Sequence, residues 1–386
     1  MKKRIFTVIK EDLIYFPPAL SLIRILGELG YEVNHLGQYT DTKQREELNT
    51  LGVNFVDLST YHSTDSLFLK LRKQISFRKK VEAFLSASNI SDNDIVWILN
   101  AETVCLLSSI VGKYRTILQF YEFQNPVFNW KYGLLNPFYN YEKTLHKAEK
   151  IIHCEPNRAK LTQALYKLDN PPFVIPNKPY VDEGLLSDVP EDIQQTLKQY
   201  KEKVAGKKVV IYQGIFSYNE RRLEEFCDAI NELPEDFVLV AMGKGGQYFE
   251  GLKKQYESDK IIFIPFVRPP YHLLFTEGSY IGVLSYFYTT HCLANSVNIS
   301  YCAPNKIFEY AKYGIPMIGN DLPGLYYPFK LYCCGECIEY PMNVDHIKDC
   351  ILKIDSNYTK FKEGAISYYN SVDLKEIVKN ILDTNY

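Results

Sequence analysis

The strongest constraint on this chain is a rhythm, in which short apolar runs alternate with segments of helix length, and the series stops and then begins again. Ile5–Ile9, Glu32–Leu36, Val53–Leu58, Asp94–Leu99, Arg115–Tyr121 and Lys150–Cys154 read as strands, with helix candidates at Pro18–Leu29, Leu67–Leu85 and Tyr141–Ala148 between them. Strands joined through helices run parallel, so the pattern predicts a sheet covered on both faces. A polar stretch, residues 180–206, carries Asp182, Glu183, Asp188, Glu191 and Asp192 and a helix candidate near Gln194–Val204. It reads as a connector. Beyond it the alternation restarts with Lys208–Gly214, Phe237 to its turn at Gly246, Ile261–Val267, Tyr280–Ser285 and Ile315–Ile318, and helices are expected at Val344–Ile354 and Val372–Leu382. A chain of 386 residues is too long for one core. The expected fold class is therefore α/β, with two doubly wound Rossmann-like domains, residues 1–179 and 207–365. No internal repeat is evident, so the two share architecture alone.

Composition excludes several classes. With 46% hydrophobic and 23% charged residues the chain is globular, and a net charge of -2 gives no reason to expect a nucleic-acid partner. No apolar run approaches the ~20 residues of a spanning helix, and Met1–Lys10 is too short for a signal-peptide core, so a cytoplasmic chain is expected. Nine cysteines, an odd number without framework spacing, suit a reducing compartment. The single C-x-x-C, Cys334 to Cys337, reads as free thiols near a loop rather than a zinc or redox pair. The 31 Tyr and 22 Phe suit carbohydrate or lipid surfaces as well as cores.

The stretch from Cys302 to Asp321 carries the chemistry. Pro304 suits a first helical position, Ile307, Phe308 and Ala311 offer an apolar face, and Gly314 with Pro316 ends the helix before the buried strand Ile315–Ile318. A helix N-terminus then opens at the carboxyl edge of a sheet, where anions settle. Backbone N–H groups near Asn305 and Lys306 favour a diphosphate, and Glu309, on the same helix face as Lys306, can accept from ribose hydroxyls. Asp92-Asn93-Asp94 fits a metal-binding D-x-D, but it precedes a strand rather than following one and reads as a solvated turn.

The segment Pro304-Asn305-Lys306-Ile307-Phe308-Glu309-Tyr310 resembles the corresponding motif of bacterial GT-B glycosyltransferases, the retaining family-4-like group that builds capsules, exopolysaccharides and lipopolysaccharides. Tyr212-Gln213-Gly214, followed by Arg221-Arg222-Leu223-Glu224, resembles the start of that family's nucleotide-binding domain, and Phe173 to Pro179 resembles the exit strand of its first domain. The resemblance implies two domains facing across a cleft, with residues 366–386 forming a C-terminal helix that packs back on the first. It implies transfer of a sugar from a nucleotide diphosphate donor on the second domain to a saccharide acceptor, polyprenyl- or lipid-linked, on the first. Cofactors and metal are expected to be absent, with Arg221 and Lys306 taking up the charge of the departing diphosphate. Catalytic candidates are Arg221, Lys306, Glu309 and Glu122.

Donor-binding candidates are Gln213, Gly214, Arg222, Gly243, Lys244, Phe266, Val267, Asn298, Pro304 and Asn305. Gly214 lets backbone approach the ligand, Gly243 and Lys244 form a tight turn near the nucleotide, and the strand end at Phe266 and Val267 lies by the base in relatives. Arg222 occupies a position that is usually glycine, which leaves open which arginine reaches the phosphates. Many relatives carry a second glutamate where this chain has Tyr301, so donor-sugar contacts are assigned to Asn298, Ser300 or backbone. On the acceptor side, the turn after the first strand has no glycine, and Tyr15 is expected to line the site. Glu122, past the strand ending at Tyr121, either orients the acceptor or caps a turn.

Leu67–Leu85 mixes Lys70, Arg72, Lys73, Arg78, Lys79 and Lys80 with Phe68, Leu71, Ile75, Phe77, Val81 and Phe84. It suits either peripheral contact with an anionic membrane, on the inner face of the plasma membrane, or a solvated basic face over the core. Two rival functions stand beside transfer. One is a GT-B-fold sugar-nucleotide epimerase, and the other is a non-catalytic nucleotide-binding partner of another transferase.

Overall fold

The computed structural model describes residues 3–59, 65–125, 139–180, 183–186, 188–289 and 292–384. The chain divides into two compact units, Met1–Tyr180 with Asp373–Tyr386, and Val181–Val372.

The first unit holds seven parallel strands, β1 (Arg4–Asp12), β2 (Glu32–Gln38), β3 (Val53–Asp57), β4 (Ile95–Leu99), β5 (Thr116–Phe120), β6 (Lys150–His153) and β7 (Phe173–Val174), in the order β3-β2-β1-β4-β5-β6-β7. Helices cover both faces of its central strands: every residue of β4 and of β5 is buried, and their one side-chain amide, Gln119, accepts from the Trp97 indole at 3.0 Å. The reversal of order between β1 and β4 is the topological switch point, where open α/β sheets leave a crevice at their carboxyl ends.

The second unit holds β8 (Lys208–Ile215), β9 (Phe237–Lys244), β10 (Ile261–Pro265), β11 (Ile281–Leu284), β12 (Met317–Asn320) and β13 (Gly335–Ile338), all parallel, in the order β10-β9-β8-β11-β12-β13. Val209, Ile211, Val238 and Val240 fill one face of this sheet, and Val210, Tyr212, Leu239 and Ala241 fill the other. Two-residue alternation on each strand thus feeds two cores. Both units are doubly wound α/β, as the alternation requires.

Several elements differ from expectation. The connector does carry its expected helix, as Glu191–Lys203, but that helix is part of the second unit's core: it buries Ile193 and Tyr200 there, and the Tyr200 hydroxyl donates to the Phe275 carbonyl at 3.1 Å. The C-terminal segment is divided, since the helix Tyr358–Asn370 buries Phe361 and Ala365 in the second unit while the helix Leu374–Asp383 belongs to the first. There Lys375 pairs with Glu28 at 3.1 Å, and the buried Lys150 ammonium donates to the Ile381 carbonyl at 2.7 Å, where a cation complements a helix C-terminus.

Before Tyr301 the chain forms the helix Leu293–Ser300, which the strand and helix pattern did not include. Cys334 to Cys337 runs into strand β13 rather than a loop, and both cysteines are free thiols. Asp94 is not solvated. It is 4% exposed, pairs with Arg4 at 2.7 Å and accepts from the Ser91 N–H and hydroxyl at 2.8 and 2.9 Å. Burial pushes its carboxyl up, and Arg4 and Ser91 more than offset this, holding it at about 2. That carboxylate ties the start of β1 to the start of β4. Among the described residues, no helix is long and apolar enough to cross a membrane.

Candidate functional site

In the second unit the carboxyl ends of β8 and β9 present bare backbone. Gly214 and Gly243 are register partners, with φ of +141° and +152°. A Cβ on Gly243 would stand 1.8 Å from the Gly214 carbonyl oxygen, and one on Gly214 would stand 2.6 Å from the Lys306 Nζ. Only glycine fits both places, and the missing side chains are what let the ammonium lie on the sheet edge.

Lys306 sits in the first turn of the helix Asn305–Lys312. Pro304 precedes that helix as its cap rather than standing at the first helical position, and it supplies no side-chain hydrogen bond. The leading N–H groups therefore face outward without a side-chain cap, beside the lysine. Gly314, at φ +66°, ends the helix.

Two aromatic rings place the cations. The Lys306 Nζ lies 4.7 Å from the Tyr212 ring centre and 5.8 Å from that of Tyr286, and the Arg221 guanidinium lies 4.2 Å from the same Tyr286 ring. Arg222 instead stacks on Phe287 at 4.0 Å. The two arginines diverge because both precede the helix rather than lying in it. Ser217 bridges Arg221 in a tight turn, and the helix starts at Glu224. Burial, together with the neighbouring charge of Arg221, pushes the Lys306 ammonium down to about 7, with Glu309 offsetting only part. Two cations crowded into a partly dry edge are better satisfied by an anion than by each other.

Glu309 is gripped at both oxygens. Gln213 Nε2 donates to Oε2 at 2.6 Å, and His272 Nε2 lies 3.3 Å from Oε1. The Gln213 amide is itself oriented, since its Oε1 accepts from the Thr276 hydroxyl at 2.5 Å. Burial pushes the Glu309 carboxyl up, but His272, Lys306 and Gln213 together outweigh it and leave the carboxyl below the usual range. His272 and Thr276 were not expected from sequence. His272 caps the short helix Leu273–Thr276 and Thr276 ends it, and four residues give no periodicity to read.

The other expected donor residues are spread around this edge. Lys244 ends β9 with its Nζ 4.8 Å from the ring of Phe266, which follows β10 and is 51% exposed, and Val267 packs against the core. Asn298 lies in the helix Leu293–Ser300, and half-buried Tyr301 closes that helix.

In the first unit, Tyr15 is 72% exposed and Glu122 is exposed one residue past Tyr121. Among the described residues, neither is held in a polar cluster. A better-built carboxylate is Glu11 at the end of β1, which accepts from Asn100 Nδ2 at 3.3 Å and the Thr103 hydroxyl at 3.5 Å. Lys10, 5% exposed, ion-pairs with Glu102 and lies 3.5 Å from Glu11. Burial pushes the Glu11 carboxyl up, against the pull of Lys10. These groups stand where β1 meets β4, and Asn100 reaches them from φ +69°. The sequence signal was available: a charged triplet, Lys10-Glu11-Asp12, directly continuing an apolar strand.

No family model matches the chain, and no curated protein matches it in sequence. Solved structures do match its fold. Anabaena HepE, in complex with UDP, is 14% identical with a TM-score of 0.66, over 99% of this chain and 98% of that one. WaaG, a glycosyltransferase involved in lipopolysaccharide biosynthesis, is 13% identical with a TM-score of 0.60, over 98% of each chain. A candidate UDP-N-acetylglucosamine 2-epimerase of Listeria monocytogenes is 11% identical with a TM-score of 0.63, over 99% of this chain and 97% of that one. The fold is thus the GT-B type, built from two doubly wound α/β units.

Proposed function

We propose that this chain is a glycosyltransferase that moves a sugar from a nucleotide diphosphate donor to a hydroxyl of a saccharide acceptor, retaining the anomeric configuration and using no metal. The observation that carries the reading is the placement of Arg221 and Lys306 about one ring, Tyr286, above a glycine edge and beside an uncapped helix N-terminus. A donor diphosphate bound there meets two cations and oriented N–H groups. As the bond from the sugar to the diphosphate breaks, charge grows on the leaving oxygens, and these groups stabilise it without reorganising. Glu309, held ionised, accepts from the donor's ribose hydroxyls. That HepE was solved with UDP supports the ligand class.

The acceptor is assigned to the first unit and to the class of lipid-linked saccharides used in bacterial surface polysaccharide synthesis. The likeness to WaaG supports this. The helix Leu67–Ala87 supports a peripheral place on an anionic membrane, since Arg72, Lys79 and Lys80 stay exposed beside Phe68 and Ile75 while Phe77, Val81 and Leu85 are buried. Such cations contribute roughly 1 kcal/mol each near a membrane surface.

The test is calorimetric titration of UDP, GDP and ADP, followed by a transfer assay with the matching nucleotide sugars. Binding of one diphosphate and transfer to a saccharide acceptor is expected, and a wild-type chain that binds none of them contradicts the reading. Epimerisation is the second reading, favoured by the Listeria likeness. Incubating donor alone and recovering an isomerised sugar supports it over transfer.

A further inference from the structure

The geometry points to His272 as a positioning residue that holds Glu309 for recognition of a ribonucleoside, so that discrimination between ribose and deoxyribose at this site depends on a group outside every motif described above. The inference rests on the nucleotide-binding reading and names a determinant of its selectivity.

Glu309 can serve a diol only if its carboxylate is ionised, fixed in direction and left with free lone pairs. It is buried to 11% exposure, and an isolated carboxylate there would be driven toward its neutral form. Gln213 satisfies only one oxygen, Oε2. The other, Oε1, faces His272 Nε2 at 3.3 Å, and the His272 side chain is itself only 15% exposed. His272 is in turn placed by its own turn, since its carbonyl accepts from the Phe275 and Thr276 N–H groups at 3.1 and 3.3 Å, while the Thr276 hydroxyl orients Gln213. One short helix therefore anchors both arms of the grip. The His272 Nδ1 is buried, with no hydrogen-bond partner among the described residues. Packing and the contact to Glu309 therefore hold the ring, with no hydrogen bond at its far nitrogen.

If the contact acts by hydrogen bonding to Oε1, a glutamine amide, which can place a nitrogen near the position of Nε2, retains it, and leucine removes it. Whichever of UDP, GDP and ADP binds the wild type most tightly is titrated beside its 2′-deoxy form into wild type, His272→Gln and His272→Leu, with thermal unfolding run on each. Wild type is expected to prefer the ribonucleotide by about tenfold or more, the gain of a charged hydrogen bond. His272→Gln keeps most of that preference. His272→Leu loses it while binding the deoxy form as wild type does. If His272→Leu stays folded and discriminates as well as wild type, the inference is overturned and the nucleotide reading stands. If His272→Gln behaves as the leucine variant does, hydrogen-bond positioning is overturned too. A wild type that binds none of the three diphosphates overturns the nucleotide reading and this inference with it.

Discussion

The Lys306 Nζ occupies the space that a side chain on Gly214 would need, 2.6 Å from the position of its Cβ. The lysine on one element and the glycine on another therefore form a single feature. Gly214→Ala should displace the ammonium and strain a backbone held at φ +141°. The expected cost is about 1–3 kcal/mol of stability and at least about tenfold in diphosphate affinity. Denaturant unfolding and calorimetric titration measure the two separately, and an alanine variant that binds as wild type contradicts the arrangement.

Lys306 should make the empty protein less stable than it could be. Its ammonium is pushed down to about 7 in the fold and regains its ordinary value, near 10.4, when unfolded. Between those values the unfolded chain binds more protons, so stability rises with pH through this window and the full penalty is present below pH 7. Lys306→Met removes the penalty. It should raise the melting temperature of the ligand-free protein at pH 6.5 by about 1–2 °C, if the relief is about 1 kcal/mol, while abolishing diphosphate binding. Binding by the wild type should take up a proton and weaken as pH rises above 7, which calorimetry in buffers of different ionisation enthalpy detects.

The two arginines should separate cleanly. Arg221 shares Tyr286 with Lys306, whereas Arg222 stacks on Phe287. Arg221→Gln is expected to lower kcat by about 10²–10³, the loss typical of one donor to a developing oxyanion. Arg222→Gln should leave kcat within about threefold, because its guanidinium packs on a different ring. Equal losses in both variants would show that the diphosphate spans the pair.

Asp94 is expected to matter for folding and not for chemistry. Asp94→Asn leaves Arg4 without its carboxylate and should cost about 2–3 kcal/mol, less than a fully buried pair because Arg4 is 28% exposed. The Asp94 carboxyl is held at about 2, below its unfolded value near 3.9. Its contribution is therefore present above pH 4 and lost as pH falls toward 2, so acid should unfold wild type over that interval with a steeper stability loss than the variant. A loss of turnover in Asp94→Asn at neutral pH, with stability unchanged, would contradict this.

Much of the fold was legible because each unit's central strands are dominated by apolar residues along their length, as in Ile95–Leu99 and Val209–Tyr212, and a sheet covered on both faces buries such runs. Gly335-Glu336-Cys337-Ile338 was not, since an edge strand paired only with β12 needs no such run. Lys306 and Glu309 could be placed together from helical spacing, a local rule. Arg221 and Arg222 could not be told apart, because their divergence depends on a turn closed by Ser217. His272 lies far from Glu309 in sequence and Glu11 far from Asn100. Tertiary folding alone brings each pair together, and no periodicity announces it.

A crystal structure of the chain with UDP, grown in EDTA, tests whether a helix N-terminus and two cations hold the donor diphosphate without a metal. Phosphate oxygens are expected about 3 Å from Lys306 Nζ, Arg221 and the N–H groups at Asn305 and Lys306. Diphosphate density at another place, or binding that appears only when a divalent cation is restored, would contradict it.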